Sequence, residues 1–310
     1  MRISIIIATI NRSKQLEKYT IPSLERQTVN NFDTIVWDAS ENELTQMVCS
    51  KSKIGIMYFK APRVGLAKQR NDAVQKAFEL YPNNEIILFI DDDVVLSDDA
   101  LEGVINTYAF DQTISGVGIP LSGTGKKTFF LKKIIKGLFL NFEFKKRHIT
   151  NYAYSYFPIN EKNSECVNWL SGCSMSYKKE CFDSNHFDER LCTFGGYSLA
   201  EDALFSSSLF HSGHKLKLSD KGRLQHIRDT NARLDYRKWV ASISYNHYLL
   251  FLAINKNQSL FKRIVHRLAY NWNQFYNLSL LFFSFVRKSH GKDFFDGLRD
   301  ASREKRKIKK

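Results

Sequence analysis

The chain lacks any apolar stretch long enough to cross a membrane. Its longest candidates, Tyr248–Ile254 and Leu278–Val286, fall well short of the ~18 residues a spanning helix needs. Cysteine is scarce. Cys49, Cys166, Cys173, Cys181 and Cys192 form an odd set with no C-x-x-C pair. This argues against a disulfide framework or a zinc site, and for a reducing compartment in which the thiols are small core or semi-exposed groups. A secretory signal is missing too. The run Ile3–Thr9 follows a single positive charge, and charged residues stand where a small-residue cleavage site belongs. It reads as a first strand. There is no internal repeat and no low-complexity linker. What remains is 310 residues, 43 % hydrophobic and 25 % charged, enough for one large domain or two modest ones with a real core.

Charge is unevenly placed. The net charge is +14, yet residues 1–220 hold equal numbers of acids and bases. The last ninety residues carry 20 Lys and Arg against 6 Asp and Glu. Within the neutral part, Lys126–Arg147 has 8 basic residues and one acid, Glu143. Such asymmetry points to a polyanionic partner: a membrane face, a nucleic acid or a phosphorylated substrate.

The first 120 residues alternate strand-like and helix-like pieces. Strands are expected at Ile3–Thr9, Phe32–Asp38, Ile54–Phe59, Glu85–Ile90 and Ile114–Leu121. Helices are expected at Arg12–Gln27, Glu41–Ser50, Gly65–Leu80 and Asp98–Phe110, the last with Ser97 as N-cap. This spacing predicts an α/β fold: a mostly parallel sheet sandwiched by helices, with ligands beyond the carboxyl ends of the strands. Farther on, Cys166–Tyr177 suggests a strand, Ser198–Ser212 a helix, and Lys215–Ser219 and Arg223–Ile227 short strands. From Tyr236 to about Gly297 the chain is helical and aromatic-rich, and Arg303–Lys310 reads as a frayed charged tail.

Several residues at strand ends carry chemistry. Asp91-Asp92-Asp93 follows the apolar run Ile86–Ile90. Three adjacent carboxylates repel one another, and a Mg²⁺ or Mn²⁺ ion shared with substrate phosphates resolves the conflict. An acidic turn before a helix is the plain alternative. Alternation of an extended chain would send Asp91 and Asp93 to one side and Asp92 to the other. Asp38 ends the second strand, where it could accept from a base or ribose, or cap a helix. Gly65 opens a helix bearing Lys68 and Arg70, a pattern that suits phosphate. Glu201-Asp202 follows Gly195-Gly196 and could supply a general base. His226 follows a short strand, where histidines are more often structural than ligating.

Taken in order, these pieces resemble the family 2 glycosyltransferases with the GT-A fold. The matching strings are Ile6–Arg12, Trp37–Ser40, Gly65–Asn71, Phe89–Asp93, Trp169–Met175, Glu201-Asp202 and His226, spread over about residues 3–230. The resemblance implies roles. Thr9, Asn11, Arg12 and Asp38 would surround the nucleotide, and Arg70 would lie near it or brace the aspartates. Asp91–Asp93 would be the D-x-D type motif. Asp93 would hold the metal, Asp91 would join it, and Asp91 or Asp92 would touch ribose or sugar. His226 would be a further metal ligand. Asp202 would be the catalytic base with Glu201 beside it, and Trp169, Ser171 and Gly172 would shape the sugar and acceptor pocket. A GT-A catalytic domain is expected over 1–230, split into a nucleotide-binding half (1–121) and an acceptor half (122–230). A basic, aromatic-rich helical region follows over 231–310.

The chemistry is consistent with that likeness. A nucleotide-diphosphate leaving group needs a cation, and the acceptor hydroxyl needs a base on the opposite face of the sugar. One base and direct displacement imply inversion. The family's processive synthases carry membrane helices and Gln-x-x-Arg-Trp. Here the nearest string is Asp235-Tyr236-Arg237-Lys238-Trp239, which favours single addition. Ala8 and Ile10 stand where Pro or Tyr is often found. The expected donor is a UDP- or dTDP-sugar, and the acceptor a saccharide, lipid-linked, in cell-surface polysaccharide synthesis. The apolar and basic residues of Lys126–Arg147 (Phe129, Phe130, Leu131, Ile134, Ile135, Leu138, Phe139, Phe142) suit an anionic leaflet, and Phe261–Leu278 has the same make-up. Packing on the catalytic domain is the alternative, favoured for Tyr236–Tyr276. The expected location is cytoplasmic and peripheral on the inner membrane face. Two rivals remain: a nucleotidyl- or phosphotransferase on the same carboxylates, and a basic nucleic-acid- or membrane-binding protein. Nucleic acid is not expected, because no recognised module accompanies the charge.

Overall fold

The computed structural model describes all residues except 123–129, 145, 159–160, 228–234 and 309–310. In chain order the elements begin with β1 (Ile3–Thr9) and α1 (Ser13–Gln15), then a π-helical stretch over Leu16–Thr20 and α2 (Ile21–Glu25). There follow β2 (Phe32–Asp38), α3 (Leu44–Ser50), β3 (Ile56–Lys60), α4 (Leu66–Leu80), β4 (Ile86–Ile90), β5 (Val94–Leu96), α5 (Ala100–Phe110) and β6 (Ile114–Gly118). The middle holds α6 (Phe130–Leu138), β7 (His148–Ile149), β8 (Ser155–Tyr156), β9 (Cys166–Val167) and β10 (Ser174–Lys178). The chain closes with α7 (Glu201–His211), β11 (Lys215–Leu218), β12 (Leu224–His226), α8 (Tyr236–Ile254), α9 (Leu260–Arg287) and α10 (Gly291–Ile308).

Eight strands form one sheet in the order β3-β2-β1-β4-β10-β6-β11-β9. The expected alternation of strands and helices gives its first half, where β1, β2, β3 and β4 run parallel. Strands β1, β4 and most of β2 are buried on both faces, so they read as continuous apolar runs rather than alternating ones, whereas the edge strand β3 is only partly buried. All five residues of β4 are buried. The second half departs from a parallel sheet. β10 is inserted antiparallel between β4 and β6, and β9 pairs antiparallel with β11. A separate ribbon joins β12 to β5 antiparallel.

Three local expectations are corrected. The segment Arg12–Gln27 is not a uniform helix. Its π-helical turn carries Thr20 onto the aspartate loop, where the hydroxyl accepts from the Val94 N–H at 3.1 Å. Helix α5 is capped at Asp99, without a side-chain bond; Ser97 instead accepts from the Arg223 N–H at 2.8 Å. The tail from Arg303 to Ile308 is part of α10, and residues 309–310 lie outside the described residues. That helix lies close on α8 because Gly297 has no side chain: a Cβ there would sit 2.5 Å from the Arg237 carbonyl. Helix α8 in turn shares an apolar cluster with Ala203, Leu204 and Trp169.

Candidate active site

Register brings the chemistry together. Thr9 pairs with Asp38, and Asp38 with Lys60, so the carboxyl ends of β1, β2 and β3 are level. On the other side of β1, Ile6 pairs with Phe89. Continuing that register sets Asp92 beside Thr9, whose hydroxyl donates to Asp92 at 2.5 Å. The chain turns at Asp92-Asp93 instead of running extended. Arg12 therefore reaches both carboxylates, donating to Asp92 at 2.5 Å and also to Asp93. Asp91 and Asp93 both face His226, whose Nε2 is 3.9 and 3.0 Å from them.

Arg70 is the hub of the site. Its guanidinium is almost wholly buried and donates to Glu201 at 2.7 Å, to the Gly172 carbonyl at 2.9 Å and to Asp91 at 3.4 Å. It lies over the Phe89 and Phe187 rings, 5.4 and 5.7 Å from their centroids. Asn71 fixes Phe187 by bonding both its carbonyl and its N–H. Asp202 is held by two backbone donors, the N–H groups of Gly172 and Ala203, each at 2.7 Å. A side chain at Gly172 would displace the Arg70–Glu201 pair, because a Cβ there would lie 2.9 Å from Glu201 Oε1 and 3.2 Å from Arg70 Nη1. Ala200, just before Glu201, has φ +70°, a left-handed conformation that costs energy for a residue with a Cβ. Asn11 has φ +55° at the opposite side of the site, with its N–H on Ser40 Oγ at 2.7 Å.

Other expected residues turn inward. Asp38 is fully buried and accepts from the Ser40 N–H at 2.9 Å, from the Ser40 hydroxyl and from Tyr58 Oη at 3.1 Å. Trp169 does not line an opening. Its indole is 3 % exposed and packs against Phe157, with the Arg147 guanidinium over its ring. Ser171 is buried with its hydroxyl 3.3 Å from Cys173 Sγ. The start of α4 is not an open phosphate cradle either. Its first N–H groups, of Leu66 and Ala67, are taken by the Gly196 carbonyl and Ser198 Oγ.

Sequence reasoning missed some members. Gln69 ties β1 to β2 by donating to the Thr9 and Trp37 carbonyls at 3.1 and 3.2 Å. Its position between Lys68 and Arg70 was the available signal. Cys173 was read as a core thiol. Its Sγ, a carboxylate oxygen of Asp91 and a ring nitrogen of His226 lie within 4.8 Å of one another.

The electrostatics are lopsided. Five carboxylates (Asp91, Asp92, Asp93, Glu201, Asp202) surround two guanidiniums, Arg12 and Arg70. Burial raises Asp92 to about 7 against the pull of Arg12 and Thr9. Burial likewise raises Asp91, with Arg70 and His226 opposing. Glu201 and Asp202 are both pushed up by burial. The neighbouring Asp202 adds to the rise in Glu201, and the Gly172 and Ala203 N–H groups restrain Asp202. His226 is lowered by burial but raised more by Asp93 and Cys173, to about 10. A carboxylate set with too few cations, converging with an imidazole, fits a divalent metal.

The sequence matches the description "Glycosyl transferase family 2" over residues 4–174. The chain belongs to glycosyl transferase family 2. This glycosyltransferase has the GT-A fold, shared with solved structures of low identity. TarS 1–349 of S. aureus in complex with UDP-GlcNAc is 16 % identical with TM-score 0.54, the match covering 88 % of this chain and 72 % of that one. The mannosyltransferase PcManGT of Pyrobaculum calidifontis, in complex with GDP-Man and Mn²⁺, is 12 % identical with TM-score 0.56, covering 97 % and 86 %. GalNAc-T7 with UDP, GalNAc and Mn²⁺ is 14 % identical with TM-score 0.56, covering 79 % and 48 %. No curated protein matches the transferase in sequence.

Proposed function

We propose that this glycosyltransferase moves one sugar, with inversion, from a UDP- or dTDP-sugar to a hydroxyl of a saccharide acceptor. The observation that carries the reading is the chain of contacts from Asp202 through Gly172 and Arg70 to Asp91. It links a fixed carboxylate, raised by burial, to an acid-rich corner through one backbone unit and one side chain. Asp202 takes the proton from the acceptor hydroxyl. Its pKa is raised towards the range where a base is both free and effective, and its two N–H donors fix its direction. Arg70 keeps Glu201 from competing by pairing it. Asp91, Asp93 and His226 would hold a divalent ion, Mn²⁺ or Mg²⁺. When bound, such an ion neutralises charge on the departing diphosphate. Thr9, Asn11 and Arg12 form the nucleotide side, with buried Asp38 bracing the Ser40 that holds Asn11, and Arg12 also clasps Asp92 and Asp93.

The acceptor is lipid-linked in this reading, and α6 and α9 present the protein to the bilayer. No helix among the described residues is long and apolar enough to cross a membrane. Helix α9 instead exposes Phe261, Ile264, Leu268, Trp272 and Phe275 beside exposed Lys262 and Arg263. Ile134, Ile135 and Leu138 of α6 are also exposed. The Trp272 indole donates to the Leu138 carbonyl at 2.8 Å, which joins the two helices into one surface. Apolar residues flanked by cations suit the interface of an anionic leaflet. Phe129 lies outside the described residues. Arg147 leaves this surface, because it is fully buried against Glu161.

The test is Asp202→Asn. Transfer falls by ~10²–10⁴-fold while nucleotide binding in the presence of Mn²⁺ persists, measured by calorimetry. Retained transfer sinks the base assignment. Nucleotidyl transfer by the variant would instead support the rival reaction on the same carboxylates. For the surface, flotation with anionic liposomes should fall with salt and with Phe261→Ser/Leu268→Ser.

A further inference from the structure

The corner around Asp91 is read above with oxygen ligands and one imidazole, yet its geometry includes a sulfur. The fold brings the thiol there through two antiparallel pairings. Ser174 faces Ile90 across β10 and β4, so the residue before Ser174 lies beside the residue after Ile90. These are Cys173 and Asp91. His226 faces Val94 across β12 and β5, and the Ile227 N–H bonds to the Asp93 carbonyl at 2.8 Å. Two ribbons of the fold thus deliver the thiol and the imidazole to one carboxylate. The three donor atoms lie within 4.8 Å of one another. Cys173 is 4 % exposed. Ser171 Oγ at 3.3 Å is its further neighbour.

We infer that Cys173 is a metal ligand in the place given to Asp93 above, which Arg12 already pairs, and that Asp91, Cys173 and His226 form a three-residue site for a borderline-soft divalent cation, Zn²⁺ or Co²⁺, in preference to Mg²⁺. The inference deepens the proposed function, since it concerns the same corner of the site. Sulfur, imidazole and one carboxylate are the donors Zn²⁺ takes, and a thiolate discriminates against Mg²⁺, which takes oxygen. On coordination the thiol proton leaves to solvent and the thiolate bonds the ion. Three protein ligands leave a position open for a diphosphate oxygen, as catalytic zinc sites do. Serine at the same position would keep the size and lose the soft donor.

The test uses the full chain with Co²⁺, Zn²⁺ and Mg²⁺ as probes. Wild-type protein titrated with Co²⁺ develops a near-ultraviolet sulfur-to-cobalt charge-transfer absorbance. The band disappears in Cys173→Ser and persists in Cys192→Ser. Calorimetry shows Zn²⁺ affinity falling at least tenfold in Cys173→Ser while Mg²⁺ affinity changes less than twofold. Bound Co²⁺ without the band in the wild type, which requires no variant to fold, overturns the inference. So does a band that survives Cys173→Ser. UDP and dTDP binding in Mg²⁺ is measured alongside. Nucleotide binding without a thiolate band removes Cys173 from the site and leaves the glycosyl-transfer reading intact. A thiolate band without nucleotide binding keeps the ligand and removes the donor reading.

Discussion

Two arginines are buried among the described residues, and their surroundings differ in one respect. Arg147 meets one acid. Its guanidinium donates twice to Glu161, both bonds 2.7 Å, with neither side chain exposed. The pair is neutral as a unit, and the second carboxylate oxygen also accepts from the Leu121 N–H at 2.8 Å. Arg70 meets a surplus of acid. It pairs with Glu201 and Asp91 while Asp202 stands next in sequence. The carboxyl groups around it are all pushed up by burial. A buried pair balanced in charge completes the fold and calls for no further ion, although Arg147 Nη1 has no hydrogen-bond partner. An unbalanced one leaves negative charge that protons or a cation must answer, and that imbalance marks the Arg70 region as the working one.

The sharpest way to break the comparison is at Arg147. Arg147→Met leaves Glu161 buried and alone, and should lower unfolding free energy by ~3–5 kcal/mol. Pairing it with Glu161→Leu removes both charges and should restore most of that loss, as chemical denaturation would measure. If the double variant is no better than the single one, the pair is not a self-contained unit. Transfer activity per folded molecule should hardly change in either case.

Arg70→Met should behave differently. Without the guanidinium, Glu201 and Asp91 rise further above their unfolded values. A carboxyl with a raised folded pKa destabilises once pH exceeds its unfolded value, so the variant should lose stability as pH climbs from about 5 to 8. A loss of ~1–3 kcal/mol at the upper end is expected. Melting temperatures at pH 6 and pH 8 decide it: curves parallel to wild type would mean that Arg70 holds geometry and not charge. Transfer should fall in this variant even where it is folded.

Much of this arrangement was legible in the sequence, and the physics explains which part. Strands β1 to β4 are apolar runs ending in polar residues, so Thr9, Asp38 and Asp91–Asp93 could be placed at one edge from the sequence alone. The resemblance puts Arg70 near the nucleotide or against the aspartates, and the structure gives it a bond to Asp91. Antiparallel pairing was not legible. Strand β10 sits between β4 and β6 although it lies far along the chain from both, and no local signal records that register. Cys173 therefore read as an ordinary core thiol. The same is true of Arg147, which the charge count assigned to a basic surface. Its partner Glu161 lies beyond an irregular stretch, and only the fold shows that the cation is cancelled. The tail residues from Arg303 looked frayed because they are charged. Their buried side, at Ala301 and Gly297, comes one turn earlier.

The helical layer extends the comparison to a third buried group, with the smallest expected effect. His247 on α8 is pushed down to about 4, by burial and by Lys305 on α10. Gln274 of α9 is 3.4 Å from its Nδ1, a contact in which the amide donates to a neutral ring. Here a buried ionisable group beside a cation gives up its charge, whereas Arg70 pulls its carboxyl groups towards the charged form against the rise that burial causes. The sign follows. A histidine with a lowered folded pKa contributes stability above its unfolded value near 6.5, and that contribution is lost as pH falls towards 4. Discounted for the partly open ring, the loss is ~2 kcal/mol. Replacing the ring by His247→Gln should flatten this part of the pH–stability curve and leave the plateau above pH 7 within ~1 kcal/mol. A wild-type curve that stays level between pH 7 and pH 4.5 would show that the junction of α8, α9 and α10 tolerates the charged ring. The layer would then be looser, and wetter, than the packing of Tyr248 and Tyr270 in its apolar cluster indicates.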